Sequence, residues 1–498
     1  MLDYGERFIE PAAAHTKTQK CIMTIRTWID ECLHGHPQCI GLRSARTEDR
    51  FLPYRLLYIR QEEGTYRIRL CDSAQLNPAV QYATLSHIWG TGLHFKLTSE
   101  NMEELRQGVA IADLPGTVRH AVELTSRLSL QHIWVDSLCI LQDIKSDWEE
   151  ECSAMSSAYS GAIINIAASE ATNSYGRLFA PRDALTITLG VVSVCNSALG
   201  WQNEPCTVWA EDRHQMHIAD APLNKRAWVL QERLLAARTV HFTRTKIFWE
   251  CPQLLALETD PYCDFEDHRE SNITKGWMVP PSKHMPIDVQ STECLEKWKN
   301  AVRLYSSGKL TYESDKLVAI AGIARYLHSL WPDSTIKYLA GLWSHGLLWS
   351  LLWHRRIETG KYCPRAAQYQ APSWSWAAIN AEITFSDTLN HGDEEMARIQ
   401  DTGTSPTGDP FGAVCGGYVR IRGPLCAALL KYQYFQRQTS IRLEPTDEDA
   451  VMSKLLFDHM DHWRNALGRV YPPSICLDLE TVSPWCCFKS FEDRRIAP

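Results

Sequence analysis

Short apolar runs alternate with amphipathic helical patterns between residues 82 and 168 of the 498-residue chain. Each run is bounded by polar positions, which predicts a short buried strand. The three runs are Tyr82–Ile88, His132–Val135 and Ala162–Ala168. The helical positions between them recur every three or four residues and are Val118, Val122, Thr125 and Leu128, then Trp148, Cys152, Met155 and Tyr159. Leu114-Pro115 opens the first helix, and a capping box of Ser146 and Glu149 opens the second.

This order of elements predicts an α/β fold. Strands separated by single helices favour a parallel sheet with right-handed crossovers. In such sheets, ligands bind beyond the carboxyl ends of the strands. Polar residues gather at those ends: Ser86–Gly90 after the first run, Asp136–Gln142 after the second, and Ser169 with Glu170 after the third. We therefore expect a functional site at the edge where the strands stop.

The rest of the chain divides into regions of different pattern. Residues 1–78 predict a helix at about residues 16–33 and then an extended segment, and residues 79–252 hold the α/β core. Residues 253–378 are mainly helical in pattern, and residues 379–498 read as a flexible loop and a mixed extension. The helical patterns are 291–306, 315–329 and 338–354. The extension contains a polar loop, a strand and a helix, predicted at Asn380–Gly412, Tyr418–Ile421 and about 447–465.

Composition narrows the classes of partner and the compartment. The net charge is −8 and no basic stripe stands out, so we expect no nucleic-acid partner. The apolar stretch Tyr338–Trp353 is too short for a membrane span, and residues 1–15 lack the apolar region of a signal peptide. The 17 cysteines form no Cys-x-x-Cys pair, which favours reduced thiols and a cytoplasmic location. Gly90 and Gly92 lack the pattern of a phosphate-binding loop, which argues against a nucleotide triphosphatase.

One local group of residues has the ligand types of a zinc site. Cys32, His34, His36 and Cys39 lie within eight positions of one another. Their spacing matches no common zinc finger. The alternative is a short turn after a helix with two half-buried thiols. We favour the turn and predict no metal site.

Three separated segments resemble the motifs of the fungal heterokaryon incompatibility (HET) domain family. Tyr82–Gly90 resembles the opening motif, although His87 stands where the family usually has Tyr, a change that we expect to affect packing only. Ile133–Asp143 resembles the central motif, and Leu223–Leu235 resembles the third. Further matching positions are Asp147, Trp148, Glu151, Met155, Tyr159, Ala162, Leu310-Thr311, Asp315–Leu317 and Ala371–Trp376. The core resemblance covers about residues 79–252, and weaker matches extend it to about 20–378.

The resemblance implies a fold and a function. HET domains have an α/β fold similar to that of the Toll/interleukin-receptor (TIR) domain. The family acts in vegetative incompatibility, in which self/non-self recognition leads to programmed cell death. We therefore expect a signalling protein that works by self-association or by binding a protein partner. The alternative is a TIR-like enzyme that cleaves NAD as its substrate, and a third option is a scaffold that merely retains the fold; no other cofactor is expected.

The candidate site residues come from the three motifs. A glycosidic cleavage needs a carboxylate that stabilises an oxocarbenium-like transition state, and Glu151 and Glu232 are the catalytic candidates. Residues that match a motif and are candidates for ligand binding are Ser86, Trp89, Gly90, Asp136, Cys139, Gln142, Asp147, Arg226, Trp228 and Gln231.

Each candidate also has a structural explanation. Asp136 can bind a ligand or fix a loop by accepting backbone N–H groups. Trp228, Gln231 and Glu232 share one helix face, and they form either a buried polar network or part of a site. Arg226 lies off that face and can pair with Asp136 or with Glu151. We expect Cys139 to be a packed thiol.

Overall fold

The elements of the fold are taken from a computed structural model, which describes residues 13–45, 51–62, 64–90, 95–182, 190–196, 201–208, 218, 220–244, 246–259, 275–356, 368–385, 397–423, 428–433 and 438–443. The α-helices are α1 Gln19–His34, α2 Pro37–Ala45, α3 Met102–Gln107, α4 Gly116–Arg127, α5 Asp136–Cys139, α6 Lys145–Gly161, α7 Ala227–Leu235, α8 Ile287–Ser307, α9 Ala321–Leu330 and α10 Leu347–Ser350. Strands β1 to β11 are Arg55–Glu62, Thr65–Asp72, Tyr82–Ser86, Val109–Ala110, His132–Val135, Ile164–Ala167, Gly190–Asn196, Trp201–Val208, Thr239–Phe242, Ile247–Glu250 and Leu255–Leu257. Strands β12 to β19 are Tyr338–Leu339, Leu342–Trp343, Trp353–Arg355, Ile383–Phe385, Arg398–Pro406, Val414–Arg422, Ala428–Gln433 and Gln438–Leu443.

A nine-stranded mixed sheet organises the molecule, in the order β11-β10-β9-β6-β3-β5-β1-β2-β4. The four central strands β9, β6, β3 and β5 run parallel, and the strands on either side of them are antiparallel. Every residue of these four strands is buried, as expected for parallel strands covered on both faces. The three predicted strands are thus confirmed as parallel neighbours. The prediction of a parallel sheet holds for this centre, whereas the whole sheet is mixed.

Helix α1 packs the N-terminal segment against the sheet. The Thr18 side chain caps the helix by accepting the backbone N–H of Cys21. Apolar residues at helical spacing then bury one face, and Trp28 stacks on Trp249 of β10 with ring centroids 5.8 Å apart. The helix predicted at about residues 16–33 is therefore confirmed.

Helix α6 exists as predicted but begins differently. Its first residue is Lys145, its N-cap is Ile144, and no side chain caps it. Ser146 lies inside the first turn, so the predicted capping box is wrong. The register of the helix is set instead by its buried positions Cys152, Met155 and Tyr159.

The segment predicted as a third downstream helix, 338–354, is not one helix. It forms the strand pair β12–β13, the single turn α10 and strand β14. Ala340, Gly341 and Gly346 have positive φ angles of 46°, 99° and 61°, which are incompatible with a right-handed helix. The pattern 291–306 is confirmed and lies in α8. The pattern 315–329 is confirmed only from Ala321, where α9 begins, because Val318–Ile320 forms a 3-10 turn.

The C-terminal part that the structure describes consists of short antiparallel strand pairs. β15 pairs with β14, and β16 forms a hairpin with β17, which contains the predicted strand Tyr418–Ile421. β15 and β16 both lie within Asn380–Gly412, so the loop predicted there is partly wrong. The helix predicted near 447–465 lies outside the described residues.

One continuous hydrophobic core runs from Cys21 in α1 to Val419 in β17. Among the described residues, no helix combines the length and the apolar character that crossing a bilayer requires.

Candidate functional site

The ends of β3 and β6 carry a buried polar pair. Ser86, the last residue of β3, donates its hydroxyl to Asn165 Oδ1 over 3.2 Å, and Thr84 donates to the same oxygen over 3.0 Å. Asn165 Nδ2 lies 3.1 Å from Ser86 Oγ. Thr84 and Ser86 are two positions apart in a strand and so face the same side of the sheet. Ser86 and Asn165 lie beside a group of polar residues at the strand ends. We call this group the strand-end cluster and define it as Ser86, Asp136, Tyr159, Arg226 and Glu232.

Asp136 follows β5 and is held by the two loops at the strand ends. Its carboxylate accepts the Trp89 indole N–H over 3.0 Å and the Ser137 backbone N–H over 2.7 Å. His87, which is buried, has Nδ1 at 3.7 Å from Asp136 Oδ1. The Asp136 side chain is 16% exposed. Burial raises its pKa to about 6, although nearby Arg226 and these hydrogen bonds act in the opposite direction.

Glu232 of α7 reaches the same cluster from above the sheet. It is 4% exposed, and the hydroxyls of Ser86 and Tyr159 lie beside its carboxylate. Burial, together with the neighbouring charge of Asp136, raises its pKa to about 7, while Arg226 opposes that shift. A carboxyl with such a pKa can hold its proton near neutral pH, and the charge interaction with Asp136 couples the titration of the two groups.

Arg226 connects the third motif to the first. Its Nη1 donates to the carbonyl oxygen of His87 over 2.8 Å, and its charge stabilises the ionised forms of Asp136 and Glu232. Of the two predicted partners of Arg226, the structure brings Asp136 close. The three motifs therefore meet at one edge of the sheet.

Glu151 and Asp147 belong to a separate ion cluster. Arg55 Nη2 of β1 lies 2.5 Å from Asp147 Oδ2 and 3.0 Å from Glu151 Oε1, and its Nε donates to the carbonyl oxygen of Cys139. Glu151 is 2% exposed; burial raises its pKa to about 7, with Arg55 opposing the shift. No local sequence pattern marks Arg55 as a partner of these carboxylates, because it lies 92 positions before Asp147.

The predicted polar face of α7 is divided between two neighbours. Gln231 Oε1 accepts the backbone N–H of Gly322 at the start of α9 over 2.8 Å, and Trp228 bonds to the Asp315 carboxylate. Glu232, one position further along, turns toward the sheet. The three residues of this face therefore contact three different neighbours, and α7 lies between the sheet and the downstream helices.

The other motif residues hold the strand-end loops in place. Gln142 donates to the carbonyls of Asp136 and Ile140, which fixes the turn α5. Cys139 is fully buried, its Sγ accepts the Val135 backbone N–H over 3.5 Å, and burial raises its pKa, so the nucleophilic thiolate is disfavoured. Gly90 adopts a φ of 87°, a conformation that favours glycine, after Trp89.

A second buried network lies beyond the end of β6, and it links Ser169, His241 and Glu250. Ser169 Oγ is 3.2 Å from His241 Nδ1, and His241 Nε2 is 3.2 Å from Glu250 Oε2. Burial alone would raise the pKa of Glu250, but the bidentate partner Arg233 and His241 hold it well below its usual range. All three residues are at most 1% exposed. The Ser169–His241–Glu250 hydrogen bonds therefore support a role in packing and not a hydrolytic triad. Sequence reasoning identified Ser169 only as a polar residue at a strand end.

A cleft of about 350 Å³ opens beside these loops. Its lining includes Asp113, Arg119, Tyr175 and Arg177 around the start of α4. Ser174, which precedes Tyr175, donates its hydroxyl to the Trp89 carbonyl over 3.0 Å, so the cleft adjoins the first motif. No residue of the strand-end cluster contributes to the lining that the structure describes.

Comparison with known families agrees with the three motifs. The family model described as "Heterokaryon incompatibility protein (HET)" matches residues 82–232. This range begins at the first residue of β3 and ends at Glu232, so it spans the strand-end cluster. Comparison with curated proteins and with solved structures gives no match.

Proposed function

We propose that this chain, which carries a HET domain at residues 82–232, is an effector of heterokaryon incompatibility in the cytoplasm of a fungal cell. It signals self/non-self recognition, through self-association or binding of a protein partner, and this signal leads to programmed cell death. The family match supports the incompatibility role. We favour signalling over catalysis because the candidate catalytic carboxylates are buried.

The burial of the two carboxylates is the observation on which this choice depends. Glu151 and Glu232 are 2% and 4% exposed, and their partners are groups of the protein itself. A catalytic carboxylate has to approach a reacting atom in a cleft. Here the charged groups instead join two strand-end loops to α7. Such a network fixes one arrangement of these elements and so determines the surface that a partner meets.

Inducible expression in a filamentous fungus tests the role. We expect the intact chain to arrest growth and cause cell death. Arg226→Ala removes the contact with the His87 carbonyl and leaves two carboxylates without their nearby cation, so we expect it to abolish the response. Lys225→Ala is the matched control, since Lys225 is exposed and pairs only at the surface with Asp220.

The folded state of each variant has to be followed by thermal unfolding. A folded Arg226→Ala variant that still kills would contradict the role of the cluster. Growth that is unaffected by the intact chain, at protein levels confirmed by immunoblot, would contradict the effector function itself.

The second candidate, a TIR-like NAD glycohydrolase, is favoured by one observation. Asp136 combines partial exposure with a pKa raised to about 6 at a strand end. In such a reaction, water would replace nicotinamide at the ribose carbon, with a carboxylate stabilising the developing cation. Glu151 and Glu232, the catalytic candidates from the sequence, would act only after the two separate networks that bury them open.

Incubation of the purified chain with NAD distinguishes the two candidates. The signalling proposal predicts nicotinamide release no faster than in buffer. Release that is lost in Asp136→Asn but kept in the exposed control Glu149→Gln would establish the enzyme instead.

A further inference from the structure

Four side chains of types that can bind a metal ion meet outside the strand-end cluster. Cys32 of α1, His36, Cys39 of α2 and Cys251 after β10 place one ligand atom each within 4.8 Å of all the others. Three come from the N-terminal segment, and Cys251 comes from a position 215 residues after His36. Three of the four residues singled out from the sequence are therefore part of this group. His34 is not, because it is exposed and its Nδ1 contacts the Asp30 carbonyl.

We propose that Cys32, His36, Cys39 and Cys251 bind one structural zinc ion. Three thiolates and one imidazole are an established donor set for closed tetrahedral zinc sites. Zinc bonds of about 2.3 Å to sulfur and about 2.0 Å to nitrogen place neighbouring ligand atoms about 3.5–3.8 Å apart. His36 Nδ1 lies 3.4 Å from Cys251 Sγ and 3.8 Å from Cys39 Sγ. This proposal departs from the prediction of no metal site that the sequence favoured.

The surroundings of the four residues suit a site with net negative charge. Arg238 Nη1 lies 3.7 Å from Cys32 Sγ, and the Leu254 backbone N–H donates to Cys251 Sγ over 3.2 Å. Donors of this kind stabilise thiolates bound to a metal. Cys32, Cys39 and Cys251 are buried, and His36 is half-buried.

The location indicates what the ion does. It would join the end of α1 and the start of α2 to the end of β10, next to the Trp28–Trp249 stack. Closing a loop of this length in the unfolded chain is entropically costly, so a metal link across it stabilises the folded state. The zinc site thereby holds the N-terminal helices on the sheet, and this role is independent of the proposed signalling function.

Metal content of the purified full chain tests the proposal. After purification under reducing conditions with zinc supplied, we expect inductively coupled plasma mass spectrometry to find about one zinc per chain. Cobalt in its place should give the intense visible bands of tetrahedral thiolate coordination. Cys251→Ser should lower zinc affinity by at least about tenfold, the loss that removal of even a supporting contact causes. His34→Ala is the matched control and should bind zinc as the unchanged chain does.

Three outcomes would overturn the site: no zinc or cobalt in the reduced full chain, an equal zinc affinity of Cys251→Ser and the unchanged chain in competition with a chelator, or a disulfide among Cys32, Cys39 and Cys251 as the native linkage in a non-reducing peptide map. Cys251→His provides a second variant in case the serine variant does not fold. It retains four ligands of suitable type, so we expect it to bind zinc. A folded Cys251→His variant without metal would also contradict the proposal.

Discussion

At the scale of single residues, Glu232 is a buried carboxyl that makes stability depend on pH. Its pKa rises from 4.5 to about 7 on folding, chiefly through burial. Below about pH 4.5 it is protonated in both states and contributes nothing to the pH dependence. Between about 4.5 and 7 the unfolded chain ionises first, so stability falls as the pH rises and stays reduced above 7. Asp136 and Glu151, whose pKa values are also raised, act in the same direction.

The first prediction concerns Glu232→Gln. The amide cannot ionise, so the variant should lose less stability than the unchanged chain between about pH 5 and about pH 8. A pKa raised from 4.5 to about 7 corresponds to about 3 kcal/mol, which sets the order of the difference. Urea unfolding at the two pH values measures it. Glu149→Gln replaces an exposed carboxylate of α6 and should keep the original pH dependence. An equal change in stability between the two pH values for all three proteins would refute the raised pKa of Glu232.

A second prediction at this scale concerns Arg55, which faces two carboxylates. Arg55→Leu leaves Glu151 buried and unpaired, and breaking a buried pair from one side costs about 3–5 kcal/mol. The double change Arg55→Leu with Glu151→Leu should recover part of that loss, because no isolated buried charge remains at position 151. Chemical unfolding of both variants gives the comparison.

The control for Arg55 lies on the same strand. Arg60 of β1 is 69% exposed, so Arg60→Leu should change stability by less than about 1 kcal/mol. Equal losses for the two arginines, or no recovery in the double variant, would show that the ion cluster does not stabilise the fold.

At the scale of elements, α7 lies between the sheet and the downstream helices. Its contact with α9 is close at Gly322: a Cβ there would lie 2.5 Å from both Gln231 Oε1 and Ser156 Cβ. The glycine therefore allows α9 to approach α6 and α7 together. A larger residue would separate all three helices.

The third prediction follows from this contact. Gly322→Ala should destabilise the chain by about 1–3 kcal/mol through overpacking, more than the gain in helix propensity returns. Gly41→Ala in α2 is the matched control, since no atom lies within 4 Å of its added Cβ. There the propensity gain should dominate and stabilise by about 0.5–1 kcal/mol. Denaturation midpoints that move in the same direction for both variants would contradict the close packing of α6, α7 and α9 at Gly322.

At the scale of the whole molecule, the sequence predicts the features that depend on local patterns of apolar and polar residues. Strands β3, β5 and β6 follow from strand–helix alternation, and the family motifs lead to the expected pairing of Arg226 with Asp136 or Glu151. Partners contributed by distant segments leave no local pattern. Arg55 and Cys251 reach their clusters only through pairing of β1 with β5 and of β10 with β9.

Misjudged elements have a related cause. The residues of 338–354 are apolar enough for a helix, yet the positive φ values at Ala340 and Gly341 form a tight turn between β12 and β13. The indoles of Trp298 and Trp376 donate to the Gly341 carbonyl over 2.9 and 2.6 Å. These contacts come from α8 and from the residues before β15. Tertiary packing therefore overrides the local helical pattern.

The final prediction is that the α/β core of residues 79–252, which includes the family match, does not fold alone. Residues 79–252 contain the four parallel strands but lack β1, which pairs with β5 through Leu57–Ile133 and Tyr58–His132. Removing β1 exposes the edge of a fully buried strand, a template for aggregation, and removing α1 uncovers Trp249. A fragment of residues 79–252 should therefore aggregate or unfold without cooperativity, whereas residues 13–423 should remain monodisperse and unfold cooperatively. Size-exclusion chromatography and calorimetry measure both properties. A soluble, cooperatively unfolding 79–252 fragment would show that the N-terminal strands and helix are accessory, since the parallel centre would then be stable without its antiparallel flank.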